Sequence, residues 1–277
     1  MSQQQISPLA SVSPEAKLGE GVFVHPFAVI EANTELGEGC IIESGAVIKS
    51  GSRLGKHCHI HPGAVIGGIP QDLKFAGEES LAILGDHVSV RECATVNRGT
   101  VSKGKTVVGS HCLLMAYSHV AHDCVLGDHV ILGNATQVAG EVEVDDYAIL
   151  SGGSLVHQFV RIGSHCMIGG LYRVAKDVPP YTLASGEPLR LAGLNVVGLR
   201  RAGFSSEVRR ALRALYRKLY CRDRLFSESL REALAERDAC IPEVRAILDF
   251  YEGSRRGVTF WGRTADEADE DRSSVGD

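Results

Sequence analysis

A chain of 277 residues, 44% hydrophobic and 23% charged, is long enough for one large domain or two smaller ones and reads as soluble. Its formal net charge of −5 argues against a nucleic-acid partner, which rewards basic surfaces. No apolar run approaches the roughly 18 residues of a membrane span. Met1 to Ala10 lacks the basic and apolar regions of an export signal, so a cytoplasmic location without an integral membrane segment is expected.

From Ile6 to Val174 every sixth residue is aliphatic except Asp72, Glu78 and Ser102. A period of six fits neither a helix nor a simple alternating strand. It fits a three-sided column in which each side takes one hexad and one turn takes 18 residues, a solenoid whose interior is one continuous aliphatic core. With turns about 4.8 Å apart, about nine to ten of them make a column roughly 45 Å long. Glycine often follows the aliphatic position, as at Gly37, Gly55, Gly85, Gly127 and Gly163, where a corner conformation that glycine adopts cheaply is expected. Cys40, Cys58, Cys112, Cys124 and Cys166 stand four residues after it, the slot of small interior side chains. No CxxC pair occurs among the eight cysteines, which weakens zinc-ribbon and thioredoxin readings.

Both breaks in the repeat keep its phase, so residues 67–83 and 97–107 should leave the column as loops and return. The periodicity ends at Asp177-Val178-Pro179-Pro180, giving a β-helical domain over 1–186. A helical domain is expected over 187–262. Ser205-Ser206-Glu207 resembles a helix start, with Val208, Leu212, Leu215 and Leu219 on one face. Shorter helices are expected over about 227–238 and 242–253, the second opened by Pro242. Residues 263–277, rich in Asp and Glu, are expected to be a disordered acidic tail.

His119-Val120-Ala121-His122-Asp123 lies in the middle of the column. Because imidazole titrates near neutral pH, His122 suits a general base, and Asp123 could orient its ring. One 18-residue turn beyond His122 stands Gly140, whose N–H can meet a developing oxyanion, and one more turn reaches Gln158 beside His157. Zinc is the rival use of the histidines. Some carbonic anhydrases of this architecture bind it through two histidines five residues apart plus a third, whereas His119 and His122 are three apart and Tyr117 stands where that spacing needs a ligand. No metal site is expected.

The stretches Pro70 to Glu78, His119 to Asp123, Val156-His157-Gln158-Phe159 and Asp177 to Tyr181 resemble the UDP-N-acetylglucosamine acyltransferases of lipid A biosynthesis. The similarity covers residues from about 6 to 260. The resemblance to hexapeptide-repeat acyltransferases implies a mainly β fold, a left-handed parallel β-helix with a C-terminal α-helical domain, assembled as a homotrimer. It implies transfer of a 3-hydroxyacyl group from acyl carrier protein to the 3-hydroxyl of UDP-N-acetylglucosamine, the first step of lipid A biosynthesis, with no metal or tightly bound cofactor. His122 would be the base, Asp123 its support and Gly140 the oxyanion donor. Asp72 and Lys74 match sugar- and acyl-contacting positions and Gln71 flanks them in the substrate site, His119, His157 and Gln158 match pocket positions, and Asn195 and Arg201 match nucleotide-binding ones. Gly170 matches a position where a small residue leaves the acyl groove deep. Arginines of the helical domain, Arg209, Arg210, Arg213, Arg217 and Arg222 with Lys218, would face the acidic carrier protein.

Three residues depart from the family pattern. Glu141 replaces a histidine, Asn97 another, and Val197 an acidic residue. Glu141 lies one turn from Asp123, so two nearby carboxylates would raise one pKa, or Glu141 could grip an amine. N-acylation of a 3-amino UDP-sugar is therefore the near rival. An acyl-CoA-dependent transferase and a catalytically inactive scaffold are the distant ones.

Overall fold

The computed structural model describes residues 5–262. Residues 5–174 wind into a left-handed parallel β-helix with three flat faces. One face begins with strands Gln5–Ile6, Phe23–Val24 and Ile41–Ile42; it is called the apolar face below. A second begins with Ser11–Val12, Val29–Ile30 and Val47–Ile48 and carries His119–Val120, Gln137–Val138 and Leu155–Val156; it is the His119 face. The third begins with Lys17–Leu18 and Glu35–Leu36. Each strand pairs in register with the strand one turn away, as Thr95↔His119 and His119↔Gln137 show.

Every aliphatic repeat position on the column from Val24 to Val174 is buried. Each such side chain contributes about 1.5–3 kcal/mol of transfer free energy. At the lower end the core opens, and Ile6 is 42% exposed. The five repeat cysteines are buried and unpaired, and their thiols donate to corner carbonyls of the next turn, Cys40 to Gly55 at 3.1 Å and Cys124 to Ala139 at 3.0 Å.

The glycines after the aliphatic positions have a different cause from the one expected. Positive φ falls two residues later, at Gly39, His57, His87, Asp123 and their equivalents. A Cβ on Gly37 would instead stand 2.6 Å from the backbone of Gly55, so close stacking of corners excludes it. Along one corner the left-handed positions hold His57, His87, His111, His129, Tyr147, His165 and Tyr181, whose rings stack with centroids 4.5 to 5.8 Å apart. Five of the eleven histidines thus belong to an aromatic ladder.

The excursions are shorter than the hexad count alone indicates. Strand Val65–Gly68 holds the chain to Gly68, and Leu81–Leu84 resumes pairing with Ala82 and Leu84 turned inward. Strands Thr95–Asn97 and Lys105–Val108 likewise confine the second excursion to 98–104. Asn97 Nδ2 donates to Ile69 O at 2.7 Å, and the Arg98 guanidinium lies 5.3 Å from the Phe75 ring centroid, so the second excursion pins the first.

Above the column, the hairpin Thr182–Ser185 and Arg190–Leu194 continues the apolar face, an element the six-residue step does not detect. Among the described residues four α-helices follow: α1 Val196–Arg201, α2 Ser206–Leu219, α3 Phe226–Ala235 and α4 Pro242–Glu252. Ser205 caps α2 by accepting from Val208 N, and Pro242 opens α4. The helix expected over about 227–238 ends at Ala235 and gives way to a 3₁₀ turn at Arg237–Ala239. Leu212, Leu215, Tyr216 and Leu219 of α2 pack with Ile247, Leu248 and Tyr251 of α4 in a second core. Tyr216 Oη donates to Pro180 O at 2.7 Å and ties that core to the column. The expected acidic tail lies outside the described residues.

Candidate active site

His119 faces outward from its strand and His122 stands at the next corner. Asp123 adopts φ 60°, a conformation aspartate tolerates better than most residues, and its N–H donates to Thr106 Oγ1 at 2.8 Å. This turns the carboxylate inward, where it is fully buried. The 98–104 excursion closes over it. Thr100 donates from its N–H at 2.9 Å and its hydroxyl at 2.6 Å, and the Lys103 N–H donates at 3.2 Å. Burial alone raises the Asp123 pKa, but the bonds from Thr100, His122 and Lys103 outweigh it and hold the carboxyl below its usual range.

An ionised carboxylate only accepts hydrogen bonds. His122 Nδ1, 2.8 Å from Asp123 Oδ2, must therefore carry the ring proton, which leaves the Nε2 lone pair of the neutral imidazole directed away from Asp123. The ring lies directly against Gly140, where a Cβ would stand 2.6 Å from His122 Cε1 and Nε2. Gly140 is buried, and among the described residues its N–H donates to no partner. A base with a fixed tautomer and a spare backbone donor thus share one corner of the column.

These groups line a groove of about 480 Å³ that also holds Gln71, His119, His157 and Gln158. His119 Nδ1 shares a 2.7 Å hydrogen bond with Thr95 Oγ1, and burial followed by the nearby His122 lowers its pKa. The same groove contains Gln137, Leu155 and Arg173, which the sequence reading did not name. They lie at successive 18-residue steps from His119, so stepping from that residue as well as from His122 finds them. Thr100 and Thr106 were also missed, because they lie in or beside an aperiodic excursion.

Other candidate residues stand apart from this groove in the single chain. Asp72 Oδ1 accepts from Lys74 N at 2.9 Å within the first excursion, whose Leu73 is fully exposed. Asn195 is buried, caps α1 through Gly198 N and donates to His165 O at 3.0 Å. Arg201 is exposed at the end of α1, and Gly170 lies against Gly152 at a different corner. Glu141 accepts from Ser102 Oγ at 3.1 Å and lines a neighbouring groove of about 620 Å³ with Lys103, Phe159 and Arg161. The raised carboxyl expected of the Asp123–Glu141 pair is not found at Asp123, since donors from the 98–104 segment and His122 surround it.

The chain is similar to known proteins over most of its length. The hexapeptide-transferase family of bacterial transferases matches residues 15–50, 33–68 and 105–140, and the second domain of UDP-N-acetylglucosamine O-acyltransferases matches 177–259. An acyl-[acyl-carrier-protein]–UDP-N-acetylglucosamine O-acyltransferase from Paraburkholderia phymatum is 41% identical over 197 residues, 70% of this chain and 75% of the relative. The enzyme of the same name from Verminephrobacter eiseniae is 43% identical over 198 residues, with the same coverage. Among solved structures, the UDP-N-acetylglucosamine acyltransferase of Bacteroides fragilis superposes with a TM-score of 0.89 at 48% identity, covering 92% of this chain and 99% of that one. The Francisella novicida enzyme gives a TM-score of 0.89 at 34% identity, covering 92% and 94%. Column, helical cap and family matches converge, and the chain belongs to the acyl-[acyl-carrier-protein]–UDP-N-acetylglucosamine O-acyltransferase family.

Proposed function

We propose that this chain moves a 3-hydroxyacyl group from acyl carrier protein to the 3-hydroxyl of UDP-N-acetylglucosamine, the first step of lipid A biosynthesis, in the cytoplasm. The observation that carries the reading is the buried Asp123 holding His122 over Gly140. His122 Nε2 takes the proton of the sugar hydroxyl as its oxygen attacks the thioester carbonyl. The Gly140 N–H receives the oxyanion of the tetrahedral intermediate. Collapse breaks the carbon–sulfur bond, and the imidazolium returns its proton to the departing thiolate of the carrier. Asp123 stabilises the imidazolium between the two transfers. His119, Gln71, His157 and Gln158 bind substrate along the groove, and Gly170 leaves space for the acyl chain.

The active unit is a homotrimer. On the apolar face Phe23, Ile41, Leu113, Ile131, Ile149 and Met167 point away from the core and remain partly exposed, the pattern of a surface awaiting a second copy. In this assembly Asp72, Lys74, Asn195 and Arg201, which stand apart from the groove of their own chain, serve the groove of a neighbour. Carrier protein docks on α2, where Arg213 and Arg217 are exposed and have no side-chain partner among the described residues. Ile149→Glu should give a monomer with little activity by sedimentation and assay; a trimer that keeps its activity argues against this face.

The deciding experiment is mass-spectrometric analysis of products from hydroxyacyl carrier proteins offered with UDP-N-acetylglucosamine or its 3-amino analogue. An ester from the natural sugar, lost in His122→Ala, is expected. Amide formed only from the analogue would overturn the O-acyl assignment, and no product from either would overturn the reading altogether.

A further inference from the structure

The apolar face carries a second constellation of reactive side chains, far along the chain from His122. His59 and His61 flank the inward Ile60, and residues two apart on a strand share a face. Their rings stack with centroids 4.0 Å apart. Glu43 continues the neighbouring strand Ile41–Ile42, and its N–H bonds Ile60 O at 2.9 Å, which places it beside both rings. One oxygen of that carboxylate, Oε1, lies 2.5 Å from His59 Nε2 and 3.4 Å from His61 Nδ1. A second carboxylate, Glu92, reaches within 3.8 Å of the same His61 nitrogen from the turn above.

We propose that Glu43, His59 and His61 form a binding site for a divalent transition-metal cation of the zinc class. One donor atom from each residue lies within 4.8 Å of the others. Zinc holds nitrogen and oxygen ligands at about 2.0–2.2 Å in a tetrahedron, which sets them roughly 3.3 Å apart. Small side-chain rotations therefore convert the hydrogen-bonded cluster into a ligand set. Two imidazoles with a carboxylate select zinc and its transition-metal neighbours over magnesium and calcium, which take oxygen ligands. Arg91 is the nearby cation, and Glu92 neutralises it through contacts at 2.9 and 3.1 Å. Water or Glu92 completes the coordination.

Such an ion has a structural role. Its ligands come from two successive turns, with Glu92 on a third, and the chain between His61 and Glu92 includes the 69–80 excursion that carries Gln71, Asp72 and Lys74. A cation there clips together the turns from which that excursion departs and to which it returns. The proposal does not rest on the acyl-transfer chemistry, but its His59 stands on the face assigned to a second copy, so the ion would sit at the edge of that contact.

The test is titration of full-length, chelator-stripped protein with Co²⁺ as the spectroscopic probe, followed by displacement with Zn²⁺. About one ion per chain, with the visible absorption of a tetrahedral site and a raised melting temperature, is expected. Glu43→Gln keeps a hydrogen-bonding partner for His59 but loses the anionic ligand. It should weaken uptake by roughly a hundredfold or more while leaving the metal-free melting temperature near wild type. The double variant His59→Gln/His61→Gln should abolish uptake, and His122→Gln should leave it unchanged. No uptake by the wild type, uptake that survives the double variant, or uptake that depends on His122 would each overturn the proposal.

Discussion

Gly140→Ala isolates the part of the site that depends on close approach. The added carbon would stand 2.6 Å from Cε1 and Nε2 of His122 and 3.2 Å from Nδ1. Non-bonded carbons settle at about 3.5–4.0 Å, so the ring must retreat by about 1 Å. It cannot do so freely, because Asp123 holds Nδ1 at 2.8 Å and is itself fixed by Thr100 and Lys103. The lone pair on Nε2 swings off the line to the sugar hydroxyl, and a displacement of this size costs roughly 10²-fold in rate. Steady-state assay with hydroxyacyl carrier protein should show about that fall in kcat, with a smaller change in KM. Overpacking should cost about 1–3 kcal/mol of stability, visible as a modest drop in melting temperature. Combined with His122→Ala, the substitution should cost nothing further in rate, since both act through the same ring. Near-wild-type kcat in Gly140→Ala, or a full additional loss in the double variant, would refute the reasoning.

Three further outcomes follow from the same geometry. Thr100→Val removes a 2.6 Å hydrogen bond to a buried carboxylate, so urea denaturation should show a loss of about 1.5–3 kcal/mol, with the acid limb of the rate profile moved to higher pH. An unshifted profile argues that Thr100 does not tune Asp123. Burial lowers the pKa of His61, His119 and His165, so below about pH 6.5 the unfolded chain binds more protons than the folded one. Their stabilising contribution is present above that pH and is lost as pH falls through the folded-state values. Urea midpoints should therefore decrease from pH 7.5 to 5.5, with a shallower decrease in His165→Gln; a rising midpoint contradicts the assignment. Gly37→Ala places a carbon 2.6 Å from the Gly55 backbone, and calorimetry should register a loss of about 1–3 kcal/mol. An unchanged melting temperature shows that the corners can separate.

Much of this protein was legible in its sequence because a solenoid maps chain spacing onto space. The six-residue aliphatic step specifies the faces and the core, and the 18-residue turn by itself aligns His122, Gly140 and Gln158. The same arithmetic contained Gln137, Leu155 and Arg173 once His119 was taken as the origin. The tertiary structure decided what the period does not encode. Thr100 closes over Asp123 from an excursion with no repeat, and this, rather than the neighbouring Glu141, sets the direction of the Asp123 pKa. Glycine after the aliphatic position reflects contact with the backbone of the next turn, while positive φ belongs to residues two places later. The convergence of Glu43, His59 and His61 likewise depends on a rotamer and a neighbouring turn. Periodic backbone position is a local property of the chain. Side-chain direction, loop closure and steric clearance arise only when separate turns meet.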